Sequence, residues 1–294
     1  MTTRRHAIAL ETITVVVPAD AMEAYEAALR TACGTVGFFL DEDTGLWTVE
    51  GVRDQGADEA TLAGALALAG LVTGVEAVVT RRATEAEGWL ARTYDGFPEQ
   101  NVGRRFVIRG THLAASASPG RKVITLDAGI AFGSGEHGST RGCLRALETV
   151  AHRKPRRILD LGTGSGVLAM AAAMLLHRTV TATDIDPWSV RVAHSNAVLN
   201  GLGSQLRCIR ADGWASPAVR KPGPYDLIFA NILARPLCQM ARRMAANLAP
   251  GGTLILAGLL AAQANWVLAA YRRQGMRLER TLREGNWATL VLRR

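Results

Sequence analysis

Residues 158–173 read ILDLGTGSGVLAMAAA. An apolar run short enough for a buried strand meets Asp160. Three glycines follow at alternate positions, Gly162, Gly164 and Gly166, and then an Ala-rich run of helical length. Glycine lets the chain turn sharply and lets a ligand lie against bare backbone. Strand, glycine loop and helix in that order predict an α/β sheet whose ligand sits at the carboxyl ends of the strands.

A dinucleotide-binding loop spaces its glycines G-x-G-x-x-G. Here the spacing is G-x-G-x-G, with an acid two places before the first glycine. A carboxylate beside the loop repels a pyrophosphate and suits a ligand with an ammonium group. S-adenosylmethionine is such a ligand, with an α-amine, a sulfonium and no phosphate. The next strand ends in TATDIDP and places Asp184 about twenty residues beyond the loop, where a carboxylate accepts from ribose hydroxyls. Asp186 is positioned to cap a helix that begins at Pro187. Asp212, in RADGW, ends a third strand, where it is either an acceptor for the adenine amino group or a solvated loop residue. Asn231, in LIFANILA, follows a fourth. Polar residues at four successive strand ends, Asp160, Asp184, Asp212 and Asn231, predict a site.

Working outward, helices and strands alternate from residue 139 to the C-terminus. Helices are expected at 139–153, 166–177, 187–200, 235–248 and 263–275, with Gly201 as a C-cap and a Pro250-Gly251 turn closing the fourth. Strands are expected between them, and 277–294 reads as a closing antiparallel hairpin. Strands alternating with helices of this length imply a mainly parallel sheet. Residues 1–80 follow another order, β-α-β-β-α-β, with a second helix at 57–70 and a fourth strand at 75–83. The fold class is therefore α/β, a Rossmann-like sheet preceded by a small α+β ferredoxin-like domain. The expected domains are 1–80 and 101–294, joined by a linker at 81–100 that includes a short helix at 85–93. Turn-and-strand patterns follow at about 97–112 and 118–129.

The 294 residues are 48% hydrophobic and 20% charged, as in ordinary soluble proteins. The N-terminus is basic but has no long apolar core, and no apolar run is long enough for a membrane span. Cys33, Cys143, Cys208 and Cys238 show no metal-ligand spacing and read as reduced thiols of a cytoplasmic protein. The net charge of +8 comes almost wholly from arginine. Such a balance fits a nucleic acid or an RNA-bound partner, and equally a genome that favours arginine codons. The basic residues are scattered along the chain, so no direct nucleic-acid binding is required. A monomer is expected.

The chain resembles the class I S-adenosylmethionine-dependent methyltransferases, and more closely the PrmA family, the ribosomal protein L-11 methyltransferases. The resemblance rests on DAGIAFGSGEHGST at 127–140, ILDLGTGSGVLAMAA at 158–172, DIDP at 184–187, ANIL at 230–233 and GGTLILAGLL at 251–260. It covers roughly residues 85–294; the N-terminal part agrees in size and element order but hardly in motif. The family's A-F-G-T-G-x-H-x-T-T loop lies over the methionine end of the cofactor. Ser134 stands where the family usually has Thr, so the resemblance implies a hydroxyl contact to the cofactor carboxylate. Ser139 replaces another frequent Thr. Glu136 falls at a variable position and is given no catalytic role. His137 is either a pocket residue or a structural histidine.

The resemblance further implies methyl transfer to lysine side chains and the terminal α-amine of ribosomal protein L-11, with the N-terminal domain recognising that protein. Asn231 is the candidate catalytic residue, since an amide oxygen orients a neutral amine without a full charge. No general base is identified. Three rivals share parts of the pattern. A methyltransferase of RNA or of another protein lacks the narrower 131–140 motif, and an NAD-linked oxidoreductase has other glycine spacing. A binding protein that keeps only the cofactor fold has no need of Asn231.

Overall fold

A computed structural model of the chain describes residues 10–41, 44–84, 99–111, 113, 120–126 and 138–294. The chain divides into two compact units, Met1–Thr93 and Tyr94–Arg294. The expected helix at 85–93 lies outside the described residues.

The first unit runs β1 (Leu10–Val17), α1 (Met22–Arg30), β2 (Thr35–Leu40), β3 (Trp47–Asp54), α2 (Glu59–Thr73) and β4 (Val79–Thr84). Its sheet has the order β2-β3-β1-β4, antiparallel throughout. Strand alternation drives it: Ile13, Val15 and Val17 of β1 are buried, as are Trp47 and Val49 of β3. Two boundaries differ from expectation. Helix α2 continues past Gly70 to a cap at Gly74, φ 69°. Residues 75–77 do not join the sheet, because the Tyr25 hydroxyl engages their backbone. It donates to the Val75 carbonyl at 2.5 Å and accepts from the Ala77 N–H at 3.2 Å. Strand β4 starts later in consequence and ends at Thr84, beyond the expected domain limit at 80.

The second unit begins with a small sheet of β5 (Gln100–Val102), β6 (Phe106–Gly110) and β7 (Lys122–Leu126), in the order β5-β6-β7. Then come α3 (Gly138–Val150), β8 (Ile158–Leu161), α4 (Val167–Leu176), β9 (Val180–Asp184), α5 (Pro187–Leu199) and β10 (Leu206–Arg210). The chain continues with α6 (Pro217–Arg220), β11 (Tyr225–Asn231), α7 (Ala234–Asn247), β12 (Leu248–Leu260), α8 (Ala264–Arg272), β13 (Arg277–Glu284) and β14 (Trp287–Arg293). These strands form one seven-stranded sheet, β10-β9-β8-β11-β12-β14-β13. Strands β8 to β12 are parallel, and β14 runs antiparallel to both neighbours.

The sheet is covered on both faces, which explains why β8 is buried at every position. One core joins α3 and α4 to Phe106, Ile124 and Phe229. The other joins α7 and α8 to Ile228, Leu254 and Leu290. Helix α7 is not closed by Pro250-Gly251 as expected. It ends at Asn247 and passes directly into β12, whose register slips from Tyr225↔Leu248 to Leu227↔Thr253. Pro250 and Gly251 lie in that slip, where a proline needs no ladder partner. The short helix α6 has no forecast in the sequence pattern; Ser216 caps it and Pro217 opens it. Strand order reverses between β8 and β11, so a ligand crevice is expected at their carboxyl ends.

Candidate functional site

All three loop glycines lie in the left-handed region, at φ 74°, 53° and 83° for Gly162, Gly164 and Gly166. Two also lack room for a side chain. A Cβ on Gly162 would collide with the Ile232 side chain, and one on Gly166 would sit 3.1 Å from Ala193. The loop folds back on β9, since the N–H groups of Gly162 and Thr163 both donate to the Thr183 carbonyl, at 2.8 and 2.9 Å. Asn196 of α5 holds it from the other side, through the Ser165 carbonyl at 2.9 Å.

Asp160 does not stand at the very end of its strand. It is one residue short of it and fully buried. One oxygen, Oδ2, accepts from the Thr163 hydroxyl at 2.6 Å and from the Ala169 N–H at 3.2 Å, so it ties both the loop and the first turn of α4. The other, Oδ1, is buried without a partner among the described residues. Burial pushes the carboxyl up to about 7, aided by the nearby Asp184 charge and opposed by those two hydrogen bonds.

Asp184 ends β9. It accepts from the Gly164 N–H at 3.0 Å and from the Asp186 N–H at 3.1 Å, and burial again raises its pKa. Asp186 does cap α5, accepting from the N–H groups of Trp188 and Ser189 at 3.0 Å each. Asp212 follows β10 and is exposed; strand pairing sets Arg210 opposite Asp184, which places Asp212 two residues beyond that pair. Asn231 ends β11, two residues past Phe229, which pairs with Asp160. Its Nδ2 lies 3.4 Å from the Thr140 hydroxyl oxygen, and its Oδ1 is buried without a partner among the described residues. The structure thus brings Asp160, Asp184, Asp212, Asn231 and the glycine loop to one edge of four adjacent strands. Ser134, Glu136 and His137 lie outside the described residues.

The sequence patterns single out neither Thr163, which anchors Asp160, nor Thr140, which faces Asn231. Thr140 is fully buried in the first turn of α3, and only its place at the end of the 127–140 motif hinted at it. Ile232 is a third omission. Its backbone runs so close to Gly258, φ 78°, that a Cβ there would sit 2.5 Å from the Ile232 carbonyl oxygen. That glycine therefore fixes the turn after Asn231.

The edge offers a bed of bare backbone, two buried acceptor atoms without partners among the described residues and two further carboxylates. Such a set fits a cationic ligand with hydroxyl groups better than a phosphate. Among the described residues no group of His, Cys, Asp and Glu is placed to hold a metal ion. No helix among them is long and apolar enough to cross a membrane.

Comparison with known proteins agrees with this geometry. The profile of the family described as Ribosomal protein L11 methyltransferase (PrmA) matches residues 13–294. A Rhizobium meliloti ribosomal protein L11 methyltransferase is 51% identical over 207 residues, 70% of this chain and 71% of that protein. One from Rhizobium etli is 42% identical over 252 residues, 85% of this chain and 86% of its own. Among solved structures, a ribosomal protein L11 methylase from Lactobacillus delbrueckii subsp. bulgaricus superposes with a TM-score of 0.60 at 31% identity. The match covers 66% of this chain and 97% of that one.

Proposed function

The chain belongs to the ribosomal protein L11 methyltransferase family, and from that premise we propose that it methylates amines of ribosomal protein L11. The methyl donor is S-adenosylmethionine, and the acceptors are lysine side chains and the terminal α-amine. When bound, this cofactor supplies a methyl carbon already activated by its sulfonium. The orphaned, buried Oδ1 atoms of Asp160 and Asn231 support this assignment most directly. Two acceptors without partners among the described residues, beside a loop of left-handed glycines, match a cationic cofactor and an amine acceptor.

Each residue then has a task. The backbone of Gly162, Gly164 and Gly166 receives the cofactor closely. Asp160 receives its ammonium group through Oδ1, while Oδ2 holds the loop in place. Asp184 accepts from the ribose hydroxyls, and Asp212 from the adenine amino group. Ser134 contributes its hydroxyl to the cofactor carboxylate. Asn231 accepts a hydrogen bond from the acceptor amine. A lysine with a pKa near 10.4 is almost wholly protonated at neutral pH, so the pocket must favour the neutral form. An uncharged amide oxygen in a buried setting does that, where a carboxylate would stabilise the ammonium.

The N-terminal unit recognises the substrate. Its described residues contain no candidate catalytic cluster, and α2 exposes Leu68, Leu71 and Val72 on one face, with Leu71 82% exposed. The enzyme works as a cytoplasmic monomer. The test is transfer of labelled methyl groups from S-adenosylmethionine to unmethylated ribosomal protein L11, with ribosomal RNA as a second acceptor. Label in the protein supports the assignment. Label in the RNA alone moves the chain to another substrate class.

A further inference from the structure

The two edges of the large sheet carry opposite charge. The loops entering its strands, at 151–157, 177–179, 200–205, 221–224 and 273–276, contain no Asp or Glu. Those leaving the parallel strands, at 162–166, 185–186, 211–216, 232–233 and 261–263, contain no Lys or Arg, though Arg210 and Arg235 flank two of them. The leaving edge is the cofactor edge just described. The entering edge has had no role so far.

Its cations come from distant parts of the chain. Lys154, Arg156 and Arg157 stand exposed before β8, and Arg178 before β9. Arg220 and Lys221 precede β11, and Arg272, Arg273 and Arg277 lead into β13. Strand β14 runs the other way and so delivers Arg293 and Arg294 to the same edge. Hydrogen bonds join several of these segments. Arg153 donates to Thr253 of β12 at 2.7 Å and to Glu279 of β13 at 2.8 Å. Asp226 of β11 accepts from the N–H groups of Arg156 and Arg157 at 2.9 and 2.8 Å. The guanidinium of Arg294 donates to the Leu248 carbonyl.

Asp226 and Glu279 are both already paired, the first with Arg157 and the second with Arg153 and Arg293. Among the described residues no ion pair involves Arg156, Arg178, Arg272, Arg273 or Arg277. Helix dipoles favour cations at helix C-termini, which accounts for Arg178, Arg220, Lys221, Arg272 and Arg273. They do not account for Arg156, Arg277 or Arg293, which precede, begin or end strands. From β9 to β13 the edge spans five strand spacings, about 24 Å. A double-helical nucleic acid presents about 14 phosphates over that length.

We propose that this basic edge docks the phosphate backbone of structured RNA, on the side of the sheet opposite the cofactor site. Scattered along the sequence, these arginines form no run; the parallel fold collects them because every entering loop comes to one edge. Arginine predominates here as it does along the whole chain, and its planar fork suits bidentate contact with phosphate. A membrane surface would call for apolar anchors among the cations. The loops entering β8, β9, β11 and β13 expose no large hydrophobic residue. The choice of RNA over DNA rests on the proposed substrate, a ribosomal protein; the basic edge itself does not depend on it.

The experiment uses the full chain and a fluorescein-labelled 20-base-pair RNA duplex, followed by anisotropy between 50 and 200 mM salt. Binding is expected to weaken steeply with salt. A variant with Arg156, Arg178, Arg272, Arg273 and Arg277 all changed to Gln should bind about tenfold or more weakly. It should keep cofactor affinity by calorimetry, which shows that it is folded. No salt-dependent binding by the parent chain, or equal binding by the folded variant, overturns the proposal. Tighter binding to a DNA duplex of the same length, or equal or tighter binding to an acidic peptide or to vesicles rich in phosphatidylserine, overturns the assignment to RNA. RNA binding is read without methyl transfer, so a chain that methylates no L11 still decides this question separately.

Discussion

Replacing Asp160 with Asn probes the most strained electrostatic choice in the catalytic unit. The carboxyl lies at 3.8 in its reference state and about 7 in the folded protein, mainly because burial disfavours its charge. Between those values the folded protein holds the proton more tightly than the unfolded chain. Stability therefore falls as pH rises through that window, the reverse of a salt-bridged carboxylate. The full gap corresponds to about 4 kcal/mol, and about 2–3 kcal/mol of it falls between pH 5 and 8. Asn keeps an acceptor for Thr163 and Ala169 but does not ionise. Urea unfolding of the cofactor-free protein at pH 5, 6, 7 and 8 gives the comparison. Tryptophan fluorescence suits it, because the catalytic unit holds Trp188, Trp214, Trp266 and Trp287. Asp160→Asn should gain about 2–3 kcal/mol on the parent chain across that range, whatever its offset at pH 5. It should bind cofactor more weakly, and the parent chain should bind cofactor more tightly at pH 8 than at pH 6. Parallel stability curves for the two proteins would refute the account of Asp160 as a buried, destabilised carboxylate.

Other residues give sharper local tests. Asp184→Ala removes acceptors from Gly164 and Asp186 as well as the proposed ribose contact, so cofactor affinity should fall about tenfold to hundredfold. Calorimetry reads this directly, and unchanged affinity excludes the ribose role. Asn231→Ala should lower kcat about tenfold or more while cofactor affinity shifts by less than about threefold. A loss of cofactor binding with normal turnover would contradict the amine-orienting role. Gly166→Ala forces a side chain into a left-handed position beside Ala193, which should cost about 1–3 kcal/mol. Thermal unfolding measures it, and a neutral result would mean that the loop yields more easily than its contacts suggest.

Much of this architecture was legible because its signals are local. The glycine spacing after Ile158–Leu161, Asp186 before Pro187 and the alternation in β1 each point to a single backbone geometry. What escaped depends on partners far away in sequence. Residues 75–77 look like strand, yet a tyrosine hydroxyl fifty residues earlier engages their backbone. Pro250 and Gly251 look like a turn between helix and strand, but the register slip absorbs them within β12. Asp160 stands out in the sequence as a candidate site residue, whereas its bond to Thr163 and its place inside the strand do not. Thr140 gained meaning only once α3 set it against Asn231. The basic edge was invisible for the same reason, since its arginines become neighbours only through parallel strand pairing.

Mass spectrometry of ribosomal protein L11 from cells lacking this protein tests the central claim most directly. The L11 is measured before and after incubation with the purified chain and S-adenosylmethionine. The expected result is a gain of whole methyl groups, mapped to lysines and the terminal amine, and lost with Asn231→Ala. An unchanged L11, with cofactor binding intact by calorimetry, would contradict the assignment of this substrate.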